Sequence, residues 1–528
     1  MLATLATGQF LMTLDTSVMN VSIATVATDV GTTVTGIQTA ITLYTLVMAS
    51  LMITGGRVGQ MIGRKRAFTL GAVIYGAGSL TTSVAPNLAI LILGWSFLEG
   101  VGAALILPAL VGLVAGNFAA DDRTRAYGML AAAGAAAVAV GPVLGGFMTT
   151  FASWRWVFAG EVGLVVVILG LSRVVRDTVP VDRSGGFDVA GAALSAVALA
   201  SIVLGILRSA AWGLVRPVEG GPSILGLSPS IVLIIVGLAL LTAFLVWEEH
   251  RLGGGRAALI TPKLLRTPGL RAGLIAFFFQ FLVQAGIFFC VPLFLSVALG
   301  LPAVETGVRI LPLSAALVIT ALGIPRLFPH ASPRRVCRIG FAAIAAGAVA
   351  LLGALEAGAG AEVVTVPLIL AGLGVGALAS QLGAVTVSAV ADEESAAVGG
   401  LQNTVTNLGA SIGTAVAGAI LISALTTSLF AELHGNPNIP ASFTAKTETT
   451  LERGVPFVSD AQVRTALTDA GAPEPVIDSV IDANADARLA GLRAALAVLA
   501  ILSFLAIACT GGLPAEPVTS EERQPAPA

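Results

Sequence analysis

Long apolar runs follow one another along nearly the whole chain. A helix needs roughly 20 mainly apolar residues to cross the hydrocarbon core of a bilayer. Fourteen segments approach or exceed this length, at residues 2–27, 36–56, 67–86, 88–116, 126–151, 156–172, 187–208, 228–247, 272–299, 303–325, 338–356, 363–390, 396–425 and 489–512. The pattern predicts an all-α membrane protein with 14 transmembrane helices.

The composition agrees with lipid as the solvent and excludes several classes of function. Hydrophobic residues make up 56% of the chain and charged residues 11%, against about a quarter charged in soluble domains. The net charge of −2 gives no basic surface for nucleic acid. The three cysteines, Cys290, Cys337 and Cys509, form no CxxC pair, and the three histidines are scattered. We therefore expect no metal site and no cofactor.

The orientation follows from the basic residues, which gather in cytoplasmic loops of membrane proteins. With the N-terminus inside, most of the 28 Lys and Arg residues fall in alternate loops and in the C-terminal tail. The first apolar run continues past Asp15 to about residue 27, which is typical of a spanning helix rather than a cleaved signal. We expect a multi-pass protein of a bacterial cytoplasmic membrane with both termini in the cytoplasm.

Two short basic loops indicate an internal repeat. The loop after the second run reads RVGQMIGRKR and the loop after the tenth reads RLFPHASPRRVCR. A repeat of six spans with two spans inserted between the copies explains their spacing, and such repeats build many transporters. The predicted units are an N-terminal six-helix bundle (1–175), a linker with two additional spans (176–268), a C-terminal six-helix bundle (269–512) and a disordered cytoplasmic tail (513–528). An extracellular loop at 428–488 is expected to be a solvated connector with one or two short helices, or else a regulatory or binding element.

Five stretches together resemble the major facilitator superfamily, specifically its fourteen-span drug:proton antiporters. They are LDTSVMNV at 14–21, the loop 56–66, the stretch 134–146 ending GPVLGG, WRWVF at 154–158, and GGLQNTVTNLGASIG at 399–413. The resemblance covers nearly the whole chain. It implies the major facilitator fold, with two six-helix bundles, and an antiporter driven by the proton motive force that works by alternating access.

The sequence departs from the family pattern at four positions. Gln60 replaces the usual Asp of the loop motif, and Ser96 replaces the usual Arg of the fourth span. Glu99 stands where the family has Gln, and Glu161 where it has Asn. Compared with the pattern, one buried positive charge is missing and two carboxylates are gained.

Three carboxylates inside predicted spans are the candidates for proton coupling: Asp15, Glu99 and Glu161. An ionisable residue at membrane depth is costly and marks a functional site by default. A carboxyl group that is removed from water favours its neutral form, so it can take a proton on one side and release it on the other.

A structural role is the alternative for each carboxylate. Thr16, Asn20 or a backbone group could hold Asp15. Arg309 could pair with Glu99. Arg155 could pair with Glu161, or Glu161 could be hydrated at the membrane rim.

Other site residues follow from the motifs and from polarity. The resemblance associates Gly134, Gly141, Pro142, Gly145 and Gly146 with antiport, and small residues at such spacing let helices approach closely. The loop motif comprises Gly56, Gly63, Arg64, Lys65 and Arg66, which either fix topology or join the halves through an acidic group or a helix C-terminus. Polar residues that could line a cavity, or could simply make interhelical hydrogen bonds, are Asn20, Gln38, Gln280, Gln284, Gln402, Asn403, Asn407 and Arg309.

The predicted function is proton-coupled export of small hydrophobic compounds such as drugs or antibiotics. The gained carboxylates would suit a cationic substrate, and the Phe-rich run 277–294 could line an apolar cavity or face lipid. An exporter of an endogenous lipid, siderophore or secondary metabolite is the alternative, as is an importer. A transport-fold sensor or membrane enzyme is remote, because the chain has no HExxH, GxSxG or GxxxxGK[ST] motif. The expected partners are the substrate, protons and the bilayer, and we expect a monomer.

Overall fold

The structure is a computed structural model that describes residues 1–118, 120–175, 187–218, 220–256, 258–328, 330–356, 358–390, 395–436, 439 and 457–516. Regular structure within these ranges is helical. The linker 176–186, most of the loop 437–456 and the tail 517–528, on which several predictions fall, lie outside the described residues.

Fourteen long helices follow one another in the described chain. Their bounds are α1 Leu2–Asp29, α2 Val34–Ile62, α3 Arg64–Ser83, α4 Leu88–Asn117, α5 Ala120–Phe151, α6 Arg155–Leu171, α7 Val189–Leu207, α8 Pro229–Gly253, α9 Pro268–Leu293, α10 Ala303–Leu327, α11 Pro333–Ala354, α12 Thr365–Val387, α13 Ser395–Gly435 and α14 Glu474–Cys509. Helix α4 contains a π-helical stretch at Ile92–Glu99, and α9 continues into another at Phe294–Ala298. Each predicted apolar run coincides with one helix.

Twelve of these helices are long and apolar enough, by length and composition, to cross a membrane. The exceptions are α3 and α5, so the predicted all-helical membrane fold is confirmed while the count of 14 spans stays a prediction. Helix α3 begins with Arg64, Lys65 and Arg66, which lowers its hydropathy, whereas the part of α5 that could be assessed as an apolar helix, Ala136–Phe151, is shorter than 18 residues.

The segment 428–488 is more helical than the sequence indicated. Helix α13 continues to Gly435 and α14 begins at Glu474, with a short helix at Asp460–Asp469 between them. Leu429, Leu433 and Val476 are buried on these extensions. Hydropathy predicts where a helix leaves the hydrocarbon core of the membrane. Beyond that point the helix can continue if one of its faces is buried against other helices.

The helices pack as two bundles with an inserted pair. In the first half α1 packs against α5, and α3 packs against α4 and α6. In the second half α9 packs against α13, and α12 lies between α10 and α11. The inserted helices α7 and α8 pack on each other, and α7 also contacts α2 and α13.

The two halves meet along two helix pairs, α2 with α13 and α5 with α10. Gln38 Nε2 donates to the carbonyl oxygen of Thr414 at 3.1 Å, and Ser411 Oγ donates to that of Thr42 at 3.0 Å. On the other pair, Gly307 lies against the carbonyl group of Pro142 so closely that a Cβ would overlap it. Glycine at this position therefore sets the distance between the halves.

Replacing Gly307 with Leu should push α10 away from α5. Overpacking of this kind costs about 1–3 kcal/mol. We expect a lower melting temperature for Gly307→Leu in detergent, measured by loss of the monodisperse peak in size-exclusion chromatography. Gly323→Leu on the same helix, where an added Cβ would meet nothing within 4 Å, is the control. Equal melting temperatures for the two variants would contradict the close approach.

Candidate functional site

Three buried carboxylates from three helices converge inside the N-terminal bundle. Asp15 comes from the middle of α1, Glu99 from the end of the π-helical stretch of α4, and Glu161 from α6. One carboxylate oxygen of each lies within 4.8 Å of the others. Their exposed fractions are 1%, 0% and 1%. We call this cluster the carboxylate triad.

Glycines let α3 and α4 approach closely enough to enclose the triad. A Cβ on Gly78 would lie 2.6 Å from Glu99 Cγ and 2.7 Å from the carbonyl oxygen of Gly94. A Cβ on Gly94 would in turn lie 2.6 Å from Thr82 Oγ1. The two backbones are therefore nearly in contact beside Glu99. The π-helical stretch on α4 is of the kind that often occurs at functional sites.

Each carboxylate accepts hydrogen bonds from neutral donors. The indole Nε1–H of Trp95 donates to both oxygens of Asp15, at 2.9 and 3.0 Å. Trp95 is itself fixed by stacking on Tyr44, with ring centroids 5.2 Å apart. Thr82 Oγ1 donates to Glu99 at 3.2 Å. Ser79 and Tyr75 donate to Glu161 Oε2 at 3.1 and 3.4 Å; these donors are neutral as well.

The triad has no positively charged partner among the hydrogen bonds and ion pairs of the described residues. Glu99 Oε2 and Glu161 Oε1 are buried and have no hydrogen-bond partner there. Two carboxylates 4.8 Å apart repel by about 3.5 kcal/mol at an effective dielectric constant of about 20. Ionisation of all three carboxylates is therefore strongly unfavourable, and protons or a bound cation would relieve the repulsion.

An all-carboxylate set of this size would also suit a hard metal cation, which prefers oxygen ligands. The same residues would supply those ligands, with the two unpartnered oxygens of Glu99 and Glu161 available for it. From the sequence we expect no metal site.

The alternative partners proposed for Asp15 and Glu99 are wrong. Thr16 and Asn20 bond to carbonyl oxygens of their own helix, at Met12 and Thr16. Arg309 is exposed on α10, whereas Glu99 is fully buried and bonds to Thr82. Membrane depth can be estimated from one chain segment, but the direction of a side chain depends on the packing of other helices.

The alternatives proposed for Glu161 are also wrong. Arg155 pairs with Asp29 at the end of α1 and donates to the carbonyl oxygen of Ala85. Six residues along an α-helix correspond to a rotation of about 240°, so Arg155 and Glu161 point to different faces. Glu161 is buried rather than hydrated at the rim because Tyr75 and Ser79 of α3 cover it.

Ser96, which stands where the family has arginine, does not face the triad. Ser96 is buried and donates to the carbonyl oxygen of Ala40 on α2 at 2.8 Å. It therefore joins α4 to α2, while Trp95 and Glu99 point to α1 and α3.

The loop motif joins helices of the same half. Gly63 ends α2 with φ of 102°, a conformation that favours glycine. Arg64 Nη1 donates to the carbonyl oxygen of Gly112 near the C-terminal end of α4, at 2.6 Å. The predicted contact with a helix C-terminal region is present, but it links α3 to α4 rather than the two halves. Gly56 lies against Pro108 of α4, and Lys65 and Arg66 follow Arg64 in the first turn of α3.

The glycines of α5 pack against both halves. A Cβ on Gly141 would lie 2.5 Å from Ser17 of α1, and one on Gly145 would lie 2.8 Å from Val18. Gly146 instead lies against the backbone of Ala303 and Val304 on α10. Gly134 is near Gln9 and Thr13 of α1, and Pro142 contacts Gly307 of α10. The predicted close packing is present; a role of these residues in antiport stays a prediction.

The remaining polar candidates do not converge on one cavity. Gln38 bridges the halves and Gln402 donates to Thr386, so both make interhelical hydrogen bonds. Asn403 and Asn407 bond to carbonyl oxygens of their own helix. Gln280 and Gln284, one turn apart on α9, each have a buried Oε1 atom with no partner among the described residues. Arg309 lines a surface pocket with Glu305.

Five residues around the triad were not predicted from the sequence: Trp95, Tyr44, Tyr75, Ser79 and Thr82. Their spacing carried a signal. Trp95 lies four residues before Glu99, and Tyr75, Ser79 and Thr82 are four and three residues apart, so they share one face of α3. What no spacing could show is that this face meets α4 and α6.

Comparison with known proteins supports the same class of fold. The sequence profile of the Major Facilitator Superfamily matches residues 5–414. A puromycin resistance protein of Streptomyces alboniger is 29% identical over 445 residues, which cover 82% of this chain and 83% of that protein. A cephamycin export protein of Amycolatopsis lactamdurans is 30% identical over 423 residues, which cover 78% and 82%.

A further relative and a solved structure extend the comparison. A tetracenomycin C resistance and export protein of Streptomyces glaucescens is 26% identical, over 83% of this chain and 78% of that protein. The crystal structure of a bacterial homolog of the human lysosomal transporter Spinster, inward-facing and unoccupied, superposes with a TM-score of 0.56. The alignment covers 96% of both chains at 12% identity, which shows a shared fold alone.

The bond from Trp95 to Asp15 should stabilise the protein most while Asp15 is charged, because a charged acceptor strengthens a hydrogen bond and the neutral amide oxygen of Asn accepts a weaker one. Trp95→Phe keeps an aromatic ring beside Tyr44 but removes the indole N–H, which should cost about 1.5–3 kcal/mol if Asp15 is charged. We expect a lower melting temperature for Trp95→Phe and a smaller drop when Asp15→Asn is already present. Trp156→Phe, at a position 63% exposed, is the control. The same drop with and without Asp15 would rule out the coupling.

Proposed function

The chain belongs to the Major Facilitator Superfamily, and from this we propose that it is a proton-coupled exporter of small hydrophobic compounds, antibiotics among them. It is a multi-pass membrane protein with transporter relatives. The names of three of those relatives refer to resistance to, or export of, puromycin, cephamycin and tetracenomycin C. This supports export rather than import as the direction.

The carboxylate triad is the observation that supports proton coupling. Three carboxylates with oxygens within 4.8 Å of one another, buried and without a positive partner among the described residues, strongly disfavour ionisation of all three at once. Glu99 Oε2 and Glu161 Oε1 have no donor, so they are where protons would reside. Asp15 accepts at both oxygens from Trp95, as an ionised group does. The proposal needs no cofactor.

A change of charge at the triad has a direct route to the contact between the halves. The triad joins α1, α4 and α6, and α1 packs on α5 through Gly141 and Gly145. Helix α5 meets α10 of the other half through Gly146 and Pro142. Release of a proton would therefore alter the spacing of α1 and, through α5, the interface that must open and close during alternating access.

We further propose 14 spans with both termini in the cytoplasm. Helices α3 and α5 are 20 and 32 residues long, sufficient to cross the bilayer, and each packs along helices that do meet the apolar criterion. The basic start of α3 then lies in the cytoplasm, as the distribution of Lys and Arg favours.

Single cysteines test whether α3 crosses the membrane. In a variant without Cys290, Cys337 and Cys509, Asn87→Cys should react with an impermeant maleimide in intact cells. Arg66→Cys should react only after the cells are opened, because the proposal places it inside. Both positions are exposed. Reaction of both from the same side would contradict a spanning α3.

Proton coupling is tested in inverted membrane vesicles that respiration has made acidic. Addition of a transported antibiotic should make the lumen more alkaline, reported by a pH-sensitive dye, because protons leave as substrate enters. We expect Asp15→Asn, Glu99→Gln and Glu161→Gln each to lower the initial rate at least tenfold at equal protein level. Glu356→Gln, at an exposed position, should retain the rate within twofold.

The assay is run in buffer without Na⁺ or divalent cations to separate protons from metal ions. A substrate response that persists in this buffer supports protons as the coupling ion. A response that appears only when a cation is restored, or that survives in all three triad variants, would contradict the proposal.

A further inference from the structure

A cavity of about 470 Å³ lies between the two halves at the face where α1 ends and α2 begins. Its walls come from the end of α1 and the start of α2, and from the end of α9 and the start of α10. We call it the interface cavity. Small-molecule sites typically occupy about 300–1,000 Å³ and occur preferentially between domains.

Several hydroxyl side chains line the interface cavity. Thr25, Thr28 and Thr33 lie on the N-terminal side and Ser296 on the C-terminal side. Thr28 and Ser296 donate to carbonyl oxygens of their own helices, so their lone pairs remain available. Thr33 Oγ1 accepts from the backbone of Gly36, which leaves its proton available. The walls can thus both donate and accept hydrogen bonds without charge.

The long loop contributes the third wall, and that wall is fixed. Phe457 is 2% exposed and lines the cavity with Val458 and Ser459. Arg488 of α14 donates to the carbonyl oxygen of Val458 at 2.8 Å and pairs with Asp460 at 2.5 Å. The expectation of a solvated connector is therefore wrong for this part of the loop. A buried guanidinium holds the loop against the cavity.

No charged side chain lines the interface cavity among the residues that the structure describes. The acidic residues adjacent to the lining are already paired, Asp29 with Arg155 and Asp460 with Arg488. The triad does not line the cavity either, since its members are buried inside the N-terminal bundle. A charged ligand would lose its hydration here without gaining a partner, which is strongly unfavourable.

We propose that the interface cavity binds uncharged amphipathic molecules that carry hydroxyl or carbonyl groups, and that these are the substrate class. This rests on the proposed export function and replaces the expectation of a cationic substrate. The triad and the cavity are separate but share α1: Asp15 and Val21, the first lining residue on this helix, are six residues, or about 9 Å, apart along it. Proton and substrate then act through one helix and do not compete for one group.

Equilibrium binding to the purified full chain in lipid nanodiscs tests the proposal. Radiolabelled chloramphenicol and tetracenomycin C serve as neutral probes, and tetraphenylphosphonium and ethidium as cationic ones. We expect at least one neutral probe to bind tenfold or more tightly than either cation. Glu356→Gln, at an exposed position outside the cavity and the triad, should bind that probe within threefold of the original affinity. Binding requires no proton gradient, so the neutral probe can bind even if the chain does not exchange protons for substrate.

Two substitutions at Thr28 locate the site. Thr28→Trp fills the cavity and should weaken binding of the neutral probe at least tenfold, whereas Thr242→Trp at an exposed position of α8 should leave it unchanged. Thr28→Asp should weaken neutral binding and introduce binding of tetraphenylphosphonium, which a merely misfolded variant could not do.

Several results would overturn the proposal. The original chain could bind a cation as tightly as any neutral probe, or it could bind neither neutral probe. Thr28→Trp could also leave binding of the neutral probe unchanged. Intact neutral binding together with absent proton antiport would refute the proposed coupling and leave the cavity assignment standing.

Discussion

Mutual repulsion of three carboxylates in a space closed to water is the constraint on which the account depends. Asp15, Glu99 and Glu161 lie within 4.8 Å of one another, and only neutral groups donate to them. Protonation removes that repulsion, and loss of a proton restores it, so the charge of the site and the packing of α1, α4 and α6 depend on each other. A structural ion pair would behave in the opposite way, because its two charges attract each other and both groups remain ionised.

The contact between the halves is neutral and close, which suits an interface that must separate repeatedly. Gly146 and Gly307 bring α5 and α10 together at the backbone, and single hydrogen bonds such as that of Gln38 join α2 to α13. Small energetic changes transmitted along α1 can shift an interface held by contacts of this kind.

Much of the fold could be predicted from the sequence, because hydropathy reports the solvent of each segment directly. Each of the 14 apolar runs is a helix, and the carboxylates of the site were identified from their depth alone. Their convergence could not be predicted, since it depends on the π-helical stretch at Ile92–Glu99 and on the approach of α3 at Gly78. For the same reason Arg155 and Arg309 were given the wrong partners. The burial of Phe457 was missed because the adjacent Val458 is held by Arg488, which lies 30 positions further along the chain, beyond a polar segment.

Infrared spectroscopy of the purified protein at neutral pH tests the central claim most directly. A protonated carboxyl group in an apolar site has a carbonyl stretching band distinct from that of a carboxylate. We predict such a band in the original chain, reduced in Glu99→Gln and in Glu161→Gln and unchanged in Glu356→Gln. Absence of the band would mean that all three carboxylates are ionised, and that a bound cation rather than protons balances their charge.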